Sequence, residues 1–325
     1  MKKNVLSLSL GMLIAIFAVL VLASCNKEED MDNLPATPTD ADITMVAAGN
    51  ENFSSLVAAL QKADLVNALK AQGPYTVFAP TNQAFSAFLA DKGFDNLDDV
   101  PEDILTAILL NHVVDGKVIS TSLRQGYVST LASEASSENN LSIYVDLSSS
   151  VLINGTSMVT TADIEASNGV IHVIDAVIDI PSVVTHAVSN ENFTSLVSAL
   201  TANGLSTDFV SVLSGEGPFT VFAPTNAAFE ALLNSNPEWS SLSDIPSDIL
   251  EKVLTYHVIA GANVLSSDLT DGMEVTALNG DTFQINIAGG NATITDANGY
   301  VANIIAADVQ AGNGVIHVID KVILP

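Results

Sequence analysis

Apolar residues recur along the chain with two periods. Phe53, Leu56, Val57 and Leu60 fall at i, i+3, i+4 and i+7, which is one face of a helix. The run YTVFA at 75–79 is β-branched and aromatic and reads as a strand, ended by Pro80. Thr81 or Asn82 can cap a following helix that carries Phe85, Phe88 and Leu89. A further helix is predicted from near Pro101. Glu102 and Asp103 suit the positive end of its dipole, and Ile104, Leu105, Ile108 and Leu109 form its apolar face. Beyond it the pattern turns strand-like, in LSIYVDL (141–147), VLING (151–155) and GVIHVIDAVI (169–178). Asn-Gly pairs beginning at Asn154, Asn168, Asn279, Asn298 and Asn313 mark tight turns. Helices gather first and strands second, with one strand embedded among the helices, which predicts an α+β domain.

The pattern occurs twice. ENFSSLVAAL at 51–60 returns as ENFTSLVSAL at 191–200, and GPYTVFAPTNQAF at 73–85 as GPFTVFAPTNAAF at 217–229. ILLNHVV at 108–114 returns as VLTYHVI at 253–259, and NGVIHVID at 168–175 is repeated without change at 313–320. A unit of this length is a domain and not a solenoid repeat. The join, near Ile180-Pro181-Ser182, is short, so the two domains are expected to sit close together. The order TVFAPTN-x-AF, then a histidine ending a helix, then NGVIHVID resembles the fasciclin domain family. The resemblance covers 40–181 and 182–325. It implies two tandem domains, each a β-wedge or sandwich flanked by helices, and a role in adhesion or extracellular interaction. The Tyr-His pair of the family is present in the second copy as Tyr256-His257; the first copy departs with Asn111-His112.

The N-terminus changes the picture of where such a pair would act. Lys2 and Lys3 precede an apolar run and then Leu22-Ala23-Ser24-Cys25, the plan of a secretory signal. Cys25 after Leu-Ala-Ser resembles the lipobox of bacterial lipoproteins. That resemblance implies a signal peptide over 1–24, a lipid on Cys25 and attachment to the membrane through it. Residues 25–39 then read as an acidic flexible tether. Asn26 after the cysteine suits an outer-membrane location, and Lys27-Glu28-Glu29-Asp30 resembles a surface-export signal. With no second cysteine, neither an internal disulfide nor a multi-cysteine metal site can form. Formal net charge is −27, with 10 basic and 37 acidic residues. Such a chain cannot neutralise a phosphate backbone, so nucleic acid is excluded as a partner.

Candidate chemistry narrows further. His112 and His257 lie on the apolar faces of their helices, and His172 and His317 lie within apolar strands. Two recurring histidines per unit are too few for the three or four ligands of a metal site, so buried neutral imidazoles are expected and no metal or cofactor. His186 has no counterpart in the first copy and is expected to be exposed near the join. No Gly-x-Ser-x-Gly elbow, phosphate loop or spaced carboxylate pair is present, so no catalytic residue is assigned. One interaction motif carries over from matrix members of the family, an Asp-Ile pair before the last motif. Asp163-Ile164 matches it, and the second copy has Asp308-Val309. The expected function is therefore a lipid-anchored, non-enzymatic protein of the cell envelope, binding an extracellular protein or polysaccharide through two domains. A small-ligand-binding envelope protein and a metal-dependent or hydrolytic enzyme are the alternatives.

Overall fold

A computed structural model describes residues 40–135, 137 and 139–325. The signal segment, Cys25 and the tether lie outside the described residues. Domain 1 opens with three short helices, α1 (Ile43–Ala48), α2 (Ser54–Lys62) and α3 (Val66–Leu69). Strand β1 (Tyr75–Pro80) follows, then α4 (Asn82–Lys92), α5 (Glu102–Asn111) and β2 (Val113–Asp115). The second half is β3 (Gly126–Ser133), β4 (Asn140–Asp146), β5 (Leu152–Ile153), β6 (Ser157–Ala166) and β7 (Gly169–Ile174). Domain 2 repeats this order. It has α6 (Val183–Ser189), α7 (Thr194–Leu200), α8 (Phe209–Ser214), β8 (Phe219–Pro224), α9 (Asn226–Ser235), α10 (Ser247–Tyr256) and β9 (Val258–Ala260). It ends with β10 (Glu274–Thr276), β11 (Thr282–Ala288), β12 (Asn291–Thr295), β13 (Val301–Ala311) and β14 (Gly314–Ile319).

Each domain builds one seven-stranded sheet, ordered β2-β1-β7-β6-β5-β4-β3 in the first and β9-β8-β14-β13-β12-β11-β10 in the second. The central pair, β1 with β7 or β8 with β14, is parallel, and every other pair is antiparallel. In domain 1 the sheet folds across itself, so that β3 packs on β2 and α5, and this closure makes the wedge. Both faces of the central strands are therefore buried. Val77, Ala79 and Ile171 join the helix-side core, and Phe78 and Ile174 join a second core with Ile143, Val145 and Ile153. Two-sided burial explains why GVIHVI shows no alternation.

The repeated motifs are scaffolding. Thr81 caps α4 by accepting from Ala84 N–H at 3.2 Å. Asn82 instead crosses to the start of α2, accepting from Ser55 N–H (2.8 Å) and donating to Glu51 O (2.8 Å). Asn226 makes the same two bonds to Ser195 and Glu191 in domain 2. Asn168 does more than turn the chain. Its Oδ1 accepts from Ile43 N–H at 2.9 Å, and its Nδ2 donates to Leu69 O (2.7 Å) and Ala71 O (3.0 Å). It thus ties the first helix, the end of α3 and the last hairpin. Asn313 repeats the clamp with Val183, Leu213 and Gly215. The glycine that follows is required: a Cβ on Gly169 would lie 2.1 Å from Tyr75 O, and one on Gly314 2.2 Å from Phe219 O.

Candidate functional site

The four recurring histidines are buried, and both nitrogens of each ring have backbone partners. His112 closes α5. Its Nδ1 donates to Ile108 O (2.7 Å) and its Nε2 accepts from Ile178 N–H (2.9 Å). His257 closes α10 with the same geometry, to Val253 O (2.7 Å) and from Ile323 N–H (3.1 Å). The strand histidines take the opposite tautomer. His172 accepts from Asp163 N–H at Nδ1 (3.2 Å) and donates from Nε2 to Val118 O (2.9 Å). His317 does so with Asp308 N–H (3.5 Å) and Val264 O (2.8 Å). No lone pair is left for a metal and no N–H for proton transfer. Burial pushes His112 and His257 down to about 4 and lowers His317 as well. Among the described residues no group of three or more His, Cys, Asp or Glu is placed to hold a metal ion. Tyr256 is fully buried, its hydroxyl donating to Thr282 O at 2.6 Å. Asn111 occupies the matching place in domain 1, where its amide donates to Asp179 O at 3.0 Å.

The Asp-Ile pair sits on a bulge of β6, where the register with β7 shifts between Thr161 and Ile164. Asp163 has a left-handed backbone, φ 62°, and Asp308 repeats it at φ 59°. The exposed Asp163 carboxylate accepts from Ser120 N–H (2.7 Å) and Ser120 Oγ (2.5 Å), which holds it below the usual carboxylate range. Asp308 is bound in the same way by the N–H and hydroxyl of Ser266. Ile164 packs half-buried on the helix-side core, and Val309 is buried. Ser, Asp and His are thus adjacent, but the serine hydroxyl is spent on the carboxylate and the imidazole on backbone. The arrangement fastens a bulge and lacks the nucleophile–base contact that acyl transfer needs.

One expectation is reversed. His186 is fully buried, because β4 of domain 1 packs on α6 and the Tyr127 ring of β3 covers the imidazole. Its Nε2 donates to Gln310 O (3.3 Å), its Nδ1 has no partner, and it stands edge-on to the Tyr127 ring at 5.3 Å. Burial pushes it down to about 4. Tyr127 binds across the joint, donating to His186 O (3.3 Å) and accepting from Asn190 Nδ2 (3.2 Å). Gln125 donates to Glu191 Oε1 (2.9 Å), and Ser142 Oγ accepts from Gln310 N–H (3.2 Å). The expected closeness of the domains is therefore a specific, hydrogen-bonded joint. Apart from His186, its residues carry no local signal in the sequence, although the two copies differ there in a legible way. Lys117 and Glu165 form an exposed ion pair in domain 1 at 3.2 Å. The matching Asn263 and Gln310 of domain 2 are neutral and pair through their amides at 3.1 Å. Charge is removed where the partner domain excludes water.

Between α6, α7 and α8 lies an apolar cleft of about 40 Å³, with Val188 and Val210 at its mouth and Phe222 and His257 at its floor. That is far below the few hundred Å³ of a typical ligand pocket.

Known proteins place this architecture. A fasciclin domain model matches residues 51–181 and 191–325. The Synechocystis protein sll1483 is 48% identical over 143 residues, covering 44% of this chain and 76% of that protein. Transforming growth factor-beta-induced protein ig-h3 of Sus scrofa is 31% identical over 264 residues, covering 79% of this chain and 35% of that one. Human periostin is 29% identical over 263 residues, covering 79% and 29%. The chain thus spans about a third of the length of these two mammalian relatives. In fold it is similar to a solved FAS1 domain pair from the insect cell adhesion molecule fasciclin I, with a TM-score of 0.54 and 19% identity, over 85% of this chain and 98% of the insect one. Two matched segments, each folded around the same clamped and histidine-braced sheet, show that the chain belongs to the fasciclin domain family and carries two of its domains in tandem.

Proposed function

We propose that this chain is a non-enzymatic adhesion protein, tethered to the cell envelope by a lipid on Cys25 and presenting two fasciclin domains to an extracellular protein or polysaccharide. The observation that supports it best is the fixed joint between two domains of a family found in a cell adhesion molecule. A joint of this kind sets the spacing of two weak sites, so that the second binding event becomes intramolecular. Asp163 and Asp308, exposed on equivalent bulges, are the candidate contact points. The proposed location is the outer membrane, facing outward. Intact cells treated with protease test this: wild-type protein is shaved from the surface and Cys25→Ala is not retained there. Protection of the wild type would remove the adhesion reading. Attachment to matrix or polysaccharide is expected to fall about tenfold or more when either domain is deleted. Equal attachment by single domains and the full chain would show that the pair adds nothing.

A further inference from the structure

Domain 1 contains a larger cavity that the adhesion reading does not use. It lies inside the wedge, has a volume of about 210 Å³, and is floored by Phe78, Val114, Val128, Ile143 and Val145. Arg124 and Gln125 stand at its mouth. An apolar cavity of about 150 Å³ is enough to take up benzene, so this one holds about one aromatic ring or a short acyl chain. The arginine makes the site specific. It is the only arginine in a chain with 37 acidic residues, yet among the described residues it has no carboxylate partner. Its Nη1 donates to Ser122 O (3.3 Å) and Leu123 O (3.0 Å), which pins the guanidinium at the rim. Two backbone bonds leave the rest of a five-donor fork without a protein acceptor among the described residues. The second copy does not repeat the arrangement. Leu123-Arg124-Gln125-Gly126 corresponds to Leu269-Thr270-Asp271-Gly272, so the cation is lost and an acid takes the neighbouring place. Asp271 is itself engaged, accepting from Ile287 N–H at 2.8 Å.

We propose that the wedge cavity of domain 1 binds a small carboxylic acid with an apolar body, the hydrocarbon against Phe78, Ile143 and Val145 and the carboxylate on Arg124. Attraction to a planar, bidentate donor favours a carboxylate over a neutral polar head of the same size. The Glu191 carboxylate also lies near this mouth, held by Gln125, and Arg124 is the cation with donors left to meet an incoming carboxylate.

Octanoate and octanol serve as matched probes for the full chain, with methyl NMR shifts reporting the site. Octanoate is expected to shift Val128, Ile143 and Val145 and to saturate at millimolar concentration or below. Arg124→Gln, a change at an exposed position that the fold does not need, weakens octanoate about tenfold and leaves octanol unchanged. Ile143→Phe fills the cavity and abolishes both. The absence of shifts with millimolar octanoate, shifts confined to other parts of the molecule, or equal loss of both probes in Arg124→Gln would overturn the assignment. Surface display and attachment do not depend on this site, so its failure and that of the adhesion reading are read separately.

Discussion

A buried imidazole with both nitrogens bonded is a stability device whose worth depends on pH. His112 and His257 are neutral in the folded domains, pushed down to about 4 by burial, against about 6.5 in an unfolded chain. The unfolded state therefore binds protons first as pH falls. Their contribution is complete above pH 6.5, is lost between about 6.5 and 4, and is level below. At pH 5 each histidine is expected to cost roughly 2 kcal/mol of stability. Chemical denaturation at pH 7 and pH 5 measures this, and unchanged stability would mean that the rings are already charged or hydrated. His317→Leu is expected to destabilise domain 2 by about 2–4 kcal/mol, because Val264 O and Asp308 N–H lose their partner. Thermal melting compared with binding separates the roles: loss of ligand binding in a fully stable variant would contradict a structural histidine.

At the scale of elements, the clamp asparagine decides whether the halves of a domain meet. Asn168 satisfies Ile43 N–H at the start of α1 and Leu69 O at the end of α3, and adds a bond to Ala71 O just beyond it. Asn168→Ala is expected to destabilise domain 1 by about 3 kcal/mol, with Asn313→Ala doing the same in domain 2. Calorimetry resolves the two transitions, and a cost below about 1 kcal/mol would reduce the clamp to an ordinary turn. The motif that identifies the family is legible in sequence because its residues are consecutive. Its purpose is not legible, since the partners of Asn168 lie near positions 43, 69 and 71 and only the folded sheet brings them there. Thr81 and Asn82 show the same split. A cap within four residues is readable, while the bond from Asn82 to Glu51 is not.

For the whole molecule, the joint is the unit that matters. Tyr127→Ala removes both hydroxyl bonds across it and the ring that covers His186. Each domain is expected to keep its own melting transition, while the distance distribution between one spin label in each domain broadens. A distribution as narrow as that of wild type would show that the domains are held by other contacts. Domain 1 keeps a charged Lys117–Glu165 pair where domain 2 has the neutral Asn263 and Gln310. The matching face of domain 1 therefore carries a solvated ion pair where domain 2 buries neutral amides.

Local pattern was enough for the helices, the embedded strand, the tandem repeat and the buried histidines, because each depends on side chains spaced within one or two turns or strands. It was also enough for the family, whose motifs are contiguous. The tertiary structure alone decided that His186 is covered, that Gln125 and Tyr127 reach the second domain, and that an unpaired arginine stands over an apolar cavity. The cross-domain contacts join residues more than fifty positions apart in the chain, and the cavity gathers side chains from β1, β2, β3 and β4. Burial by another domain leaves no periodicity in the segment that becomes buried. It leaves only a difference between two otherwise matching copies, neutral amides where the other copy carries charge.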